Sequence, residues 1–133
     1  ANDFSKLEIK KVIESPYVPG VFDFIKACYV KYDLFISTGT PTEEIKRILI
    51  GRKIEKYFLE VYGSPDNKIT HLKEIMDKHN YDPGELTFYG DANSDLDAAK
   101  YFNVPFVLIK NQFNAKIVKI YDGKMIDNFK GLL

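Results

Sequence analysis

The sequence predicts an α/β domain, a three-layer, Rossmann-like arrangement in which helices flank a mostly parallel sheet. Two observations carry that prediction. Short apolar runs ending in glycine or small polar residues alternate along the chain with segments whose apolar residues recur at helical spacing. The 133 residues, 45% hydrophobic and 29% charged, suffice for one buried core but leave no room for a second full domain, since domains usually hold about 100 to 150 residues.

The elements follow in order. Phe4 to Ile13 carries apolar residues at 4, 7, 9, 12 and 13, a loose helical period closed by the breakers Ser15-Pro16 and Pro19-Gly20. After Gly20, the spacing of Val21, Phe24, Ile25 and Cys28 predicts a helix with one core-facing side. Leu34-Phe35-Ile36 reads as a buried strand running into Ser37-Thr38-Gly39. Thr40-Pro41-Thr42-Glu43 then has an N-cap, a proline at the first helical position and a glutamate three residues after the cap. The unit recurs. Leu59 to Tyr62 is a strand, Gly63-Ser64-Pro65 a turn and cap, and Ile69, Leu72, Ile75 and Met76 line a helix ending near His79. Leu86 to Tyr89 is a third strand, with Ser94 and Asp97 as the capping pair of the next helix, and Pro105 to Ile109 a fourth. Near the end, Asp122-Gly123 between Lys116–Tyr121 and Lys124–Ile126 carries a hairpin signal.

Composition excludes several functions. Lys plus Arg and Asp plus Glu each number 19, so no net field draws in nucleic acid or an anionic membrane. The apolar run from Val104 to Ile109 is far short of the ~20 residues that span a bilayer. The first residues lack the basic start and apolar stretch of a signal peptide, so the expected compartment is the cytoplasm. Cys28, the lone cysteine, lies among apolar residues and reads as a packed thiol. His71 and His79, eight apart and flanked by lysines, read as solvated helix residues.

Chemistry in such folds sits beyond the carboxyl ends of the strands, where helix N-termini present unpaired amides. Ser37, Thr38 and the amide of Gly39 form a candidate cradle for an oxyanion. Lys68, in the first turn of a helix, stands where a cation is mildly unfavourable, which points to an anion beside it. The strongest feature is Tyr89-Gly90-Asp91-Ala92-Asn93-Ser94-Asp95-Leu96-Asp97, whose carboxylates directly after an apolar strand suit a hard divalent cation such as Mg²⁺. A calcium loop fits Asp91, Asn93 and Asp95 but fails at Leu96, where glycine is needed, and at Phe102, where glutamate is needed.

Serine at the end of one strand, a lysine opening a later helix, and Gly-Asp-x-x-x-Asp after the next strand resemble, in order and spacing, three motifs of the haloacid dehalogenase-like hydrolases. Tyr17-Val18-Pro19-Gly20-Val21 and Met125 to Phe129 are similar to the phosphoglycolate phosphatase-like branch. The resemblance implies a Mg²⁺-dependent phosphatase acting on a small phosphorylated metabolite. It implies that Ser37 bonds the transferring phosphoryl group, with Thr38 and Gly39 beside it. Lys68 would neutralise that group's charge, Asp91 would bind Mg²⁺, and Asp95 would support the metal site or Lys68.

One motif of that family is missing from this sequence. The family's reaction starts with an aspartate in an Asp-x-Asp pattern at the end of an N-terminal strand. Before Ser37 the aspartates are Asp3, Asp23 and Asp33, none of them in that pattern. Phe4 to Ile13 is similar to the last helix of the family's cap, so the resemblance implies that residues 1–15 are a remnant of that cap and 16–133 the C-terminal part of the core domain, with the nucleophile strand and most of the cap absent and turnover by this chain alone not expected. The gap left in the middle of the sheet would be filled by a missing N-terminal segment, by the chain itself, or by a second copy covering the exposed edges. The alternative to an enzyme fragment is a non-catalytic phosphate- and metal-binding module.

Overall fold

Strands whose two faces are both apolar become parallel strands covered by helices on each side, and this chain builds its sheet that way. The computed structural model describes residues 3–7, 20–128 and 130. The strands are β1 (Asp3–Leu7), β2 (Phe35–Pro41), β3 (Glu60–Ser64), β4 (Leu86–Gly90), β5 (Phe106–Ile109) and β6 (Met125–Ile126). They form one sheet in the order β3-β2-β1-β4-β5-β6, every pairing parallel. That is the doubly wound order, with its switch point between β1 and β4.

Among the described residues five α-helices accompany the strands: α1 (Val21–Tyr29), α2 (Thr42–Gly51), α3 (Lys68–His79), α4 (Asn93–Phe102) and α5 (Ala115–Ile120). Adjacent residues of β4 show the three layers. Tyr89 joins a core cluster with Phe24 and Ile25 of α1 and Ile45 and Leu49 of α2. Phe88, facing the other way, joins Leu72 and Met76 of α3 and Ala98 and Ala99 of α4. Each large side chain so buried contributes about 1.5–3 kcal/mol. Gly20 enters α1 at φ 82, a conformation glycine adopts without strain. Asn80 and Asn103, also left-handed, close α3 and α4. Cys28 is buried as expected, and burial pushes its thiol up to about 11, so it stays protonated and inert. Among the described residues no helix is long and apolar enough to cross a membrane.

Three expectations are corrected. Asp3–Leu7 is a strand and not the start of the helix that the period from Phe4 to Ile13 predicts; residues 8–15 lie outside the described residues. β1 occupies the central slot, with Leu7 level with both Ile36 and Tyr89. Pairing two otherwise open inner edges outweighs a loose local period. The hairpin is absent as well: 115–120 is helical and β6 runs parallel to β5, with Leu108 N–H donating to Lys124 and Lys110 N–H to Ile126. The helix caps also move. α2 starts after Pro41 without a side-chain cap, and the hydroxyl of Thr42 instead accepts from the Gly63 amide at 3.1 Å. In α3 Asn67, not Ser64, accepts from the Thr70 amide, at 2.9 Å.

Candidate active site

The residues singled out from the sequence stand within the second part of β2, at the carboxyl end of β4 and at the start of α3, and a chain of contacts links them. Ser37 is fully buried, and its Oγ lies 2.7 Å from Nδ1 of His71. The opposite ring nitrogen of His71, Nε2, lies 3.0 Å from the Gly63 carbonyl. A carbonyl only accepts, so Nε2 carries a proton. In the neutral ring Nδ1 is then the acceptor, and Ser37 donates to it.

His71 and Lys68 are three apart on α3 and share a helix face. Lys68 Nζ lies 2.5 Å from Asp95 Oδ1 and donates to Ser94 Oγ at 3.1 Å. Asp95 has no solvent exposure, so this ion pair works in a low-dielectric setting. The other oxygen of Asp95 accepts from the amides of Asp91 at 3.2 Å and Ala92 at 3.1 Å, the work assigned from the sequence to Ser94 and Asp97. Gly90 leaves the room Asp95 needs, for a Cβ there would come within 2.6 Å of the Asp95 carboxylate.

Asp91 is buried, and its Oδ2 accepts from Asn111 Nδ2 at 2.9 Å. Its backbone carbonyl accepts from Asn114 Nδ2 at 3.0 Å. Thr38 is buried, and its hydroxyl accepts from the Thr40 amide at 3.3 Å, whereas Gly39 is exposed. The arrangement therefore joins Ser37 to Lys68 through His71 and α3, and Lys68 to Asp91 through Asp95. An open groove of about 910 Å³ lies elsewhere, on the outer edge at β3 among Leu49, Ile50, Phe58, Val61 and Lys78. None of Ser37, Lys68, Asp91 and Asp95 lines it.

His71, Asn111 and Asn114 were missed. His71 was read as solvated from its lysine neighbours, but it shares the buried side of α3 with Leu72 and Ile75. The available signal was its place one turn after a site lysine. For the asparagines it was an Asn-x-x-Asn immediately beyond the end of β5.

As a donor set, the cluster fits a small hard cation. Mg²⁺ is held by one or two carboxylates together with waters and substrate phosphate, and Asp91 supplies such a carboxylate at a strand end. Asp95 is taken up by Lys68 and two amides. Among the described residues no group of three or more His, Cys, Asp or Glu side chains forms an all-protein cage.

A family model described as haloacid dehalogenase-like hydrolase matches residues 4–109. The chain belongs to that family. Among the relatives of this chain, phosphoglycolate phosphatase of Escherichia coli K12 is 31% identical over 72% of the chain and 40% of its own length. That of Salmonella typhi is 28% identical over 86% of the chain and 49% of its own length. The chain thus spans at most about half of the curated relatives it matches. A Haemophilus somnus 129pt structure described as a predicted phosphoglycolate phosphatase superposes with a TM-score of 0.75 at 23% identity, covering 84% of this chain and 53% of that one. A HAD-hydrolase of Bacillus subtilis, described as bound to magnesium, does so at 0.73 and 15% identity, covering 85% and 53%.

Proposed function

We propose that this chain forms the phosphate- and metal-binding part of a Mg²⁺-dependent phosphoric monoester hydrolase acting on a small phosphorylated metabolite. The observation that carries the reading is the linked cluster Ser37–His71, Lys68–Asp95 and Asp91 at the strand ends beside the sheet's switch point. Lys68 neutralises charge on a bound phosphoryl group, Asp95 aims that lysine, and the amide of Gly39 and the Ser37 hydroxyl, once its proton turns from His71 to the ligand, hold phosphoryl oxygens. Asp91 holds Mg²⁺, which when bound offsets the phosphate's negative charge and orients it. The aspartate that attacks phosphorus in this family has no counterpart in the motif order of these 133 residues, so turnover requires that group from outside them.

A non-catalytic binding module is the second reading, favoured by the same pairing of a built binding cluster with no Asp-x-Asp among the residues before Ser37. Calorimetry with Mg²⁺ and inorganic phosphate, together with an assay of p-nitrophenyl phosphate hydrolysis, tests both readings. Phosphate binding that depends on Mg²⁺ and is lost in Asp91→Asn supports the site. Hydrolysis by the chain alone, abolished in Asp91→Asn, would overturn the claim that the nucleophile must be supplied. Restoration of hydrolysis by an added Asp-x-Asp segment favours the enzyme over the module.

A further inference from the structure

We infer that Asn111 and Asn114 are positioning residues of the metal site, holding Asp91 in one orientation through both its carboxylate and its backbone; the inference rests on the reading of Asp91 as a Mg²⁺ ligand. Each carboxamide has one orientation that its partners permit. In Asn111, Oδ1 accepts from the Phe113 amide at 2.7 Å, which turns Nδ2 toward Asp91 Oδ2 at 2.9 Å. Exchanging the two ends would set an NH₂ against an N–H and an oxygen against a carboxylate.

Asn114 is buried and fully used. Its Nδ2 donates to the carbonyls of Asp91 at 3.0 Å and Ile109 at 2.8 Å, and its Oδ1 accepts from the Asn111 amide at 2.9 Å. One side chain thus ties the end of β5 to the loop after β4 and fixes the backbone of the residue whose side chain points at Asp91. A metal-binding carboxylate is usually fixed by such outer hydrogen bonds, and their loss typically weakens metal binding by about 10- to 100-fold. Asn111 acts on the carboxylate, Asn114 on the backbone beneath it.

The test is Mg²⁺ affinity by calorimetry on the chain, alongside thermal unfolding without Mg²⁺, for wild type, Asn111→Ala, Asn111→Leu and Asn114→Ala. The Asn111 variants should weaken Mg²⁺ binding about tenfold or more with nearly unchanged metal-free melting. Asn114→Ala should weaken binding comparably and also lower the melting temperature. An Asn111→Ala chain that binds Mg²⁺ as tightly as wild type overturns the inference while leaving Asp91 as a ligand. A wild-type chain that takes up no Mg²⁺ overturns the reading of Asp91 and the inference with it. The Asn111 variants keep the test decisive if Asn114→Ala does not fold, because Asn111 is only partly buried.

Discussion

Ser37 spends its hydroxyl proton on His71: the 2.7 Å bond joins β2 to α3, and the carbonyl of Gly63 holds the far side of the imidazole at 3.0 Å. Three elements meet at this one ring. Replacing His71 with alanine leaves a buried hydroxyl and a buried carbonyl without their partner and opens a hollow beside them. Such losses amount to about 2–4 kcal/mol. Ser37→Ala removes the smaller group and should cost about 1–2 kcal/mol. Because the two side chains act on each other, the double variant should be less destabilised than the sum of the singles. Urea midpoints of the four proteins measure this, and strictly additive values would show that the bond does not stabilise the fold.

Glycine positions at the strand ends should differ sharply in their tolerance of a methyl group. A Cβ at Gly63 would lie 2.3 Å from the Thr40 carbonyl oxygen and 2.7 Å from the Thr42 amide, both backbone atoms that cannot step aside. At Gly90 the obstacle is the Asp95 side chain at 2.6 Å, which can move only by giving up its amides and Lys68. At Gly39 nothing lies within 4 Å. Gly63→Ala and Gly90→Ala should therefore each lose about 1–3 kcal/mol, while Gly39→Ala should be near neutral. Equal thermal shifts for the three would contradict this ranking.

Much of this site is legible in the sequence because strand ends advertise themselves. An apolar run halting at Ser37 or at Gly90-Asp91 reads as a buried strand giving way to polar residues, and the structure ends β4 at Gly90 but carries β2 on through Ser37 to Pro41. Caps are harder to read. Ser94 and Asp97 have the spacing of a capping pair, yet Asp95 takes the amides because its carboxylate is drawn inward by Lys68. β1 is illegible for a similar reason. A five-residue segment with a weak period takes its conformation from the two open strand edges beside it, which no local pattern encodes. The Asp122-Gly123 turn signal likewise yields to the pairing of β6 with β5, a contact made with a strand more than a dozen residues earlier.

The Lys68–Asp95 pair should respond asymmetrically to loss of its two members. Lys68→Met leaves a carboxylate that is wholly buried without its counter-charge, a loss of about 3–5 kcal/mol. Asp95→Asn keeps an oxygen for the amides of Asp91 and Ala92 and leaves the lysine, 12% exposed, a route to water. It should cost less than half as much. Chemical unfolding of the two variants checks the order, and Lys68→Met as the milder change would show that Asp95 is not held as a buried anion.

At the opposite end of the sheet, Glu60 makes stability depend on acid. Burial raises the Glu60 carboxyl, but hydrogen bonds from Lys78, Tyr62 and His79 together with the Lys78 charge outweigh it and hold the group at about 2, against an ordinary 4.5. A depressed folded-state value means that the stabilisation is fully present above about pH 4.5 and is lost as pH falls toward 2. Because Lys78 is 63% exposed, solvent weakens its share, and the change amounts to about 1–2 kcal/mol. Glu60→Gln removes the titrating charge while keeping the shape. Wild type should therefore exceed Glu60→Gln in stability at pH 5.5, and the gap should narrow as pH approaches 2.5. Other carboxylates titrate alike in both proteins, so the difference between their urea midpoints isolates Glu60. A gap that stays constant between pH 5.5 and 2.5 would mean that the carboxylate is not held below its ordinary range by these partners.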